Sequence, residues 1–171
     1  MNKGFQTCQS TKIKISKTQG QFTLHKDYSK PAIFLSGGIG VTLFRSMIKY
    51  ATDKQLPLEI ILFDSNKNIN CILYKKEFDK WSNINKKVKI IYSITEDTSL
   101  EKIDQNFNNE WKGEYGRINK NMILKYIEDI KLGSSIFYIY GPPKMVKDIQ
   151  TLVKKELKVP KERIIIEEFT G

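Results

Sequence analysis

Three glycines crowded into four positions, Gly37, Gly38 and Gly40, are the residues of this 171-residue chain with the most evident chemical use. They follow four apolar residues, Ala32–Leu35, that read as a short strand buried on both faces, and they precede an amphipathic helical pattern. Glycine lets the chain turn sharply and lets a ligand approach the backbone with no Cβ in the way. A helix starting here turns its unpaired N–H groups and the positive end of its dipole toward whatever lies on the loop. A phosphate or pyrophosphate suits that environment. A plain strand-to-helix turn uses the same residues, so both readings stand on this segment alone.

Other chemistries find little support. Cys8 and Cys71 are far apart with no C-x-x-C pair, so they cannot hold an iron–sulfur cluster or a zinc ion by themselves. His25 is the only histidine, which argues against a histidine-rich metal site and against Ser-His-Asp chemistry, and it reads as a surface residue. No metal site is expected. The net charge of +10 comes from a Lys+Arg total of 29, of which only Arg45, Arg117 and Arg163 are arginines. Lysines spread along the whole chain suit a solvated surface, or an acidic protein partner, better than a nucleic-acid groove reader.

A hydrophobic fraction of 40% marks a globular chain of single-domain size. No apolar run approaches the roughly 20 residues that span a bilayer, and residues 1–14 carry no secretory apolar region. The expectation is a soluble, cytoplasmic protein.

The elements that must position the glycine loop follow in order. Lys12–Ser16 alternates like a half-exposed strand, Gln21–Leu24 reads as a second, and Asp27–Pro31 as a linker. After the loop, Leu43, Phe44, Met47, Ile48 and Ala51 mark one helix face. Leu58–Phe63 is a buried strand ending in the polar loop Asp64–Asn68. Tyr74, Phe78 and Trp81 place a helix over about Cys71–Trp81. Val88–Ile94 is a third strand, and Thr95–Trp111 is a long polar connection. Asn119 can cap a helix carrying Met122, Ile123, Tyr126, Ile127 and Ile130, ended by Gly133. Ile136–Tyr140 is a fourth strand, followed at once by Gly141-Pro142-Pro143 and a helix with Met145, Val146, Ile149, Leu152 and Val153 inward. Pro160 stops that helix, and Arg163–Ile166 makes a fifth strand. The alternation predicts an α/β fold, a doubly wound parallel five-stranded sheet of Rossmann-like type, preceded by a short β remnant. Residues 1–30 read as that remnant plus a linker, and 31–171 as the nucleotide-binding domain. Ligands in such sheets bind outside the carboxyl ends of the strands. The Gly37–Thr42, Asp64–Asn68 and Gly141–Pro143 loops all fall on that edge.

GGIGVTLFRSM (Gly37–Met47), LFDSNKN with ILYKKEFDKW (Leu62–Trp81), GRI (Gly116–Ile118), YGPPKMV (Tyr140–Val146) and EEFTG (Glu167–Gly171) together resemble the ferredoxin–NADP reductase family, in its C-terminal NAD(P)-binding domain. The resemblance covers roughly residues 12–171. It implies hydride transfer between NAD(P)H and FAD, with the flavin passing single electrons to a ferredoxin-like or other carrier protein. It also implies roles for particular residues. Gly37, Gly38, Gly40 and Thr42 would cradle the pyrophosphate, and Ser65, Asn66 and Lys67 would face the adenosine ribose, with Tyr74 on the adenosine side. Gly141 and Pro142 would flank the nicotinamide, while Tyr140, Glu168 and Phe169 would stand by the nicotinamide and flavin ring.

The chain departs from the family pattern at Leu43 (usually Pro), Tyr140 (usually Cys), Cys71 (commonly Asp) and Lys67 (often Arg). A cation at Lys67 can meet a 2′-phosphate and favour NADPH, whereas Asp64 could bond a ribose 2′-OH and favour NADH; the balance is read toward NADPH. The family's Arg-x-Tyr-Ser flavin motif is absent, and Lys12–Leu24 resembles only the last strands of the flavin barrel, too little to close one. FAD is therefore expected to be bound mainly by a missing domain or a separate FAD-domain chain, for which the bare strand edge at Lys12–Leu24 is a docking surface. The alternative is a non-catalytic nicotinamide-nucleotide-binding or sensing module that has lost the flavin site.

Overall fold

The computed structural model of the chain describes residues 22–96 and 111–168, with backbone alone at 129, 130 and 168. In chain order the elements are β1 (Ala32–Gly37), α1 (Val41–Asp53), β2 (Ile60–Asn66), α2 (Lys75–Ile84), β3 (Val88–Ile94), β4 (Glu114–Tyr115), α3 (Lys120–Tyr126), α4 (Asp129–Leu132), β5 (Ile136–Gly141), α5 (Pro143–Thr151) and β6 (Ile164–Glu168). The strands lie in the order β4-β3-β2-β1-β5-β6, and every adjacent pair is parallel.

Alternation along the central strands divides the core into two layers, because successive side chains leave a sheet on opposite faces. Ile33, Leu35, Ile61, Phe63, Phe137 and Ile139 pack under α3 and α5. Phe34, Leu62 and Tyr138 pack under α1 and α2. In the second layer the Phe34 and Phe44 rings stack with centroids 4.5 Å apart, and Tyr138 meets Phe34 edge-on at 5.3 Å. Each such aromatic buried from water contributes about 2 kcal/mol or more, well above the few tenths that separate helix propensities. Packing therefore decides where α1 lies, and it buries Val41, Phe44, Ile48 and Ala51.

The sheet has six strands where the sequence pattern shows five. The additional strand, β4, is two residues long and pairs Ser93 with Glu114 and Ile94 with Tyr115, too short to carry a period-two signal. Helix α2 starts at Lys75 rather than near Cys71, because Tyr74 takes φ 57°, a left-handed conformation that a right-handed helix excludes. The expected Asn119 helix is two pieces, broken where Ile127 is extended. Its cap forms as expected, with Asn119 Oδ1 accepting from the Met122 N–H at 3.0 Å. Phe22–Leu24 carries no strand assignment, and Lys12–Ser16 lies outside the described residues. His25 is not a plain surface residue: Nδ1 lies 2.9 Å from the Tyr138 hydroxyl and Nε2 2.9 Å from the Lys30 carbonyl, which pins the segment before β1 onto the sheet. Among the described residues no helix is long and apolar enough to cross a membrane.

Candidate functional site

On the β1–β5 side of the sheet's carboxyl edge, glycines let backbone segments touch. A Cβ on Gly40 would stand 2.6 Å from the Tyr140 carbonyl oxygen and 3.0 Å from the Gly141 Cα, both rigid backbone. A Cβ on Gly37 would overlap the Met145 sulfur. Gly38 differs from both. It sits at φ 55°, a left-handed conformation, and its missing side chain would project into open space. Helix α1 begins immediately after this turn with no side-chain cap and no acidic residue in its first turn, so its positive end is not neutralised locally.

On the β2–β3 side the floor is made of buried polar side chains. Asp64 is fully buried. Its Oδ1 accepts from Ser36 Oγ and its Oδ2 from Asn66 Nδ2, each at 3.0 Å. Burial pushes its carboxyl up to about 6, against the pull of those two neutral donors. Asn66 Oδ1 and Ser93 Oγ are buried with no hydrogen-bond partner. The Thr95 and Glu96 N–H groups donate to the Asn66 and Lys67 carbonyls at 2.9 Å, which ties the end of β3 to the loop after β2. Across the sheet from Asp64, the Tyr92 hydroxyl donates to Asp79 at 2.9 Å, and burial together with Asp79 raises its pKa.

These two sides enclose a cleft of about 740 Å³ over the carboxyl ends of β1 and β2, of a size that takes small ligands and cofactors. Gly37, Gly38, Ser65, Asn66, Lys67 and Pro142, all singled out in the sequence, line it together. Gly40, Thr42, Tyr74, Tyr140 and Gly141 do not. Gly40 and Gly141 stand behind the wall as close-packed backbone. Tyr140 faces the α1 layer, with its ring 5.9 Å from Phe22. Tyr74 lies under the Arg45 guanidinium, 4.8 Å from ring centroid to carbon, while Arg45 itself pairs with Glu77. Glu168 ends β6 beside Gly141, and Phe169 lies outside the described residues. Asp64 cannot bond a ribose hydroxyl as the sequence pattern allowed, since it is sealed inside the sheet with both oxygens engaged.

The sequence reasoning missed several lining residues: Cys71, Thr95, Arg117, Lys144, Asp148 and Glu156. Arg117 and Lys144 lie within the GRI and YGPPKMV motifs, and the four-residue spacing of Lys144 and Asp148 puts both on one edge of α5. Glu156 is brought round by a π-helical turn, Leu152–Glu156, that no sequence period announces. The cations Lys67, Arg117 and Lys144, an uncapped helix start and a glycine whose side-chain direction is open make a donor set suited to a phosphate-bearing ligand. Asn66 adds an unpaired acceptor in the cleft wall. Among the described residues no group of His, Cys, Asp and Glu side chains could hold a metal ion.

Comparison with known proteins agrees with this geometry. The family model described as oxidoreductase NAD-binding domain matches residues 34–151. Flavohemoprotein A of Dictyostelium discoideum is 27% identical over 159 residues, covering 92% of this chain and 35% of that protein. One component of the Na(+)-translocating NADH-quinone reductase of a Marinomonas species is 26% identical over 165 residues, covering 94% of this chain and 37% of that protein. Among solved structures, the flavohem-like FAD/NAD-binding domain of nitric oxide dioxygenase from Vibrio cholerae superimposes with a TM-score of 0.71 at 13% identity. The superposition covers 89% of this chain and 55% of that one, a likeness of fold alone. The chain thus spans little more than a third of the length of the two curated relatives.

Proposed function

Because the chain belongs to the oxidoreductase NAD-binding domain family, we propose that it binds NAD(P)H across the carboxyl ends of β1, β2 and β5 and presents it to a flavin. The observation that carries this reading is the convergence of the Gly37–Gly38 turn, the Ser65–Lys67 loop and Pro142 on one cleft. Bound there, the nucleotide would supply the hydride for FAD, and electrons would pass on singly to a ferredoxin-like or other carrier protein. FAD is held mainly by another domain or chain.

The residues of this chain bind and orient. Gly38 leaves room for the pyrophosphate, with the start of α1, including Gly40 and Thr42, lending its positive end. Gly37 and Gly141 keep β1 and β5 in contact, so that Pro142 stands at a fixed position beside the nicotinamide, with Tyr140 behind it toward the α1 layer; Glu168 and Phe169 would serve the flavin side. Ser65, Asn66 and Lys67 hold the adenosine ribose, and Tyr74, held flat by Arg45, lies on the adenosine side. Placement of this kind, rather than acid–base chemistry, is what hydride transfer asks of the protein. Lys67 supports NADPH over NADH. Its amine now meets Glu96 at 3.5 Å on the surface, a weak exposed pair that a 2′-phosphate can replace.

Calorimetric titration of the chain with NADPH and with NADH tests the reading. Saturable one-to-one binding is expected, tighter for NADPH, with Lys67→Ala weakening NADPH more than NADH and so narrowing the difference. Failure of both nucleotides to bind would overturn it.

A further inference from the structure

The buried carboxylate of Asp64 has no part in the binding roles above, yet it lies one residue inward of the cleft along β2, its side chain on the α1 and α2 face of the sheet. Ser36 and Asp64 are register partners on β1 and β2, and the next pair outward is Gly37 and Ser65, both lining the cleft. Asp64 Oδ2 accepts at 3.0 Å from Asn66, which lines the cleft, so one residue links the ligand space to the carboxyl group. No water reaches it, so charges brought into the cleft are screened from it only by protein.

We propose that Asp64 is a specificity-determining residue of the cleft: ionised, it opposes pyrophosphate-bearing ligands, and their binding is accompanied by uptake of a proton at its carboxyl group. This rests on the nucleotide reading of the cleft. Among the described residues Asp64 is the one charged side chain sealed from solvent. Its neighbours on β1 and β2 are the neutral Ser36 and Asn66. From β3 comes Tyr92, bonded away to Asp79 of α2. Of the cations nearby, Lys75 pairs with Asp79 and Arg45 of α1 with Glu77 of α2, while Lys67, Arg117 and Lys144, with the carboxylates Asp148 and Glu156, line the cleft itself.

The site is also built to hold either protonation state. Ser36 Oγ lies 3.0 Å from Asp64 Oδ1 and 3.5 Å from the Phe63 carbonyl oxygen. With the carboxylate ionised, Ser36 donates to it. With the carboxyl neutral, its O–H donates to Ser36 Oγ and the serine proton turns to Phe63, so no buried donor is stranded. The proton comes from solvent and no other bond changes. A carboxyl half-titrated near pH 6 is poised to answer a ligand's charge.

The test is calorimetric titration of the full chain with NADH, just above that pH, in two buffers of different ionisation enthalpy. NADH is the cleaner probe because the 2′-phosphate of NADPH itself titrates near pH 6. Buffer-dependent heat reporting net proton uptake is expected, with affinity falling by up to about tenfold per pH unit above the midpoint. Asp64→Asn should bind NADH without the proton uptake and without the pH slope. An infrared difference spectrum of the wild-type chain, with and without NADH, should gain a protonated-carboxyl band and lose a carboxylate band, and it decides the matter if the variant does not fold. Binding without proton uptake, uptake that persists in Asp64→Asn, or a spectrum without those bands would each overturn the proposal. Absence of any binding by NADH and NADPH would instead overturn the nucleotide reading.

Discussion

The two sides of the cleft floor are built by opposite means. Toward β5 the wall is defined by side chains that are missing: Gly40 lets the start of α1 rest on the Tyr140 carbonyl, and Gly37 makes room for Met145. Toward β3 it is defined by polar side chains sealed in the sheet, Ser36, Asp64 and Asn66, bonded to one another. The glycine contacts on the first side have one shape and no charge to change. The second can change its charge without changing its shape. On the nucleotide reading, the glycine-lined wall would fix where a ligand lies, and the polar wall would set what the ligand costs.

The largest effect that would sharpen this contrast is expected at Gly40. Replacement by Ala drives a Cβ into backbone on β5, with no flexible side chain to give way, at a cost of about 3 kcal/mol. Gly37→Ala meets only the Met145 thioether, which can swing aside, and should cost about 1 kcal/mol. Urea unfolding of both variants gives the comparison, which breaks if Gly37→Ala is the more damaging.

On the polar side the sign reverses. Holding a carboxyl up to about 6, above its ordinary 3.8, means that the folded chain keeps a proton which the unfolded chain releases between those pH values. Stability from this group is therefore full below about pH 4 and falls as pH rises through 6. Asp64→Asn should accordingly stabilise the fold by about 2 kcal/mol at pH 8 and leave it little changed at pH 4. The difference between the two chains' unfolding curves across that range isolates the group from the exposed carboxylates, and a variant less stable at pH 8 would refute the reading of a costly buried charge.

The stability effect at Gly38 is as small as that at Gly37. Its left-handed φ costs an alanine about 1 kcal/mol, with nothing in contact. The new methyl enters the cleft, so NADH affinity should drop about tenfold, equivalent to about 1.4 kcal/mol. A variant that unfolds more easily yet binds NADH as before would place the ligand elsewhere.

Much of this molecule is legible in its residues taken in order. Ala32–Leu35, Leu58–Phe63 and Ile136–Tyr140 are apolar throughout or nearly so, and each reads as a strand covered on both faces whatever its neighbours are. The Phe44, Ile48, Ala51 spacing and the Asn119 cap are equally local, because helix periodicity and capping act within a few residues. Six of the expected binding residues do meet in one cleft. The failures are all non-local. Two-residue β4 exists only because the end of β3 offers it a ladder. Tyr140 and Gly141 are adjacent in sequence yet leave β5 on opposite faces, so only one could approach a given wall.

Sequence by itself thus determined the order of the five long strands and the helices between them, and it pointed to the edge on which a ligand is expected, since both depend on short-range pattern and on parallel-sheet geometry. Tertiary structure alone decided which glycines are packed and which is open, that His25 anchors the entry segment on Tyr138, and that Asp64 is walled off rather than offered to a ribose. Those outcomes depend on what arrives from residues dozens of positions away. Burial and its effect on a charge are properties of the assembled neighbourhood, which no local pattern encodes.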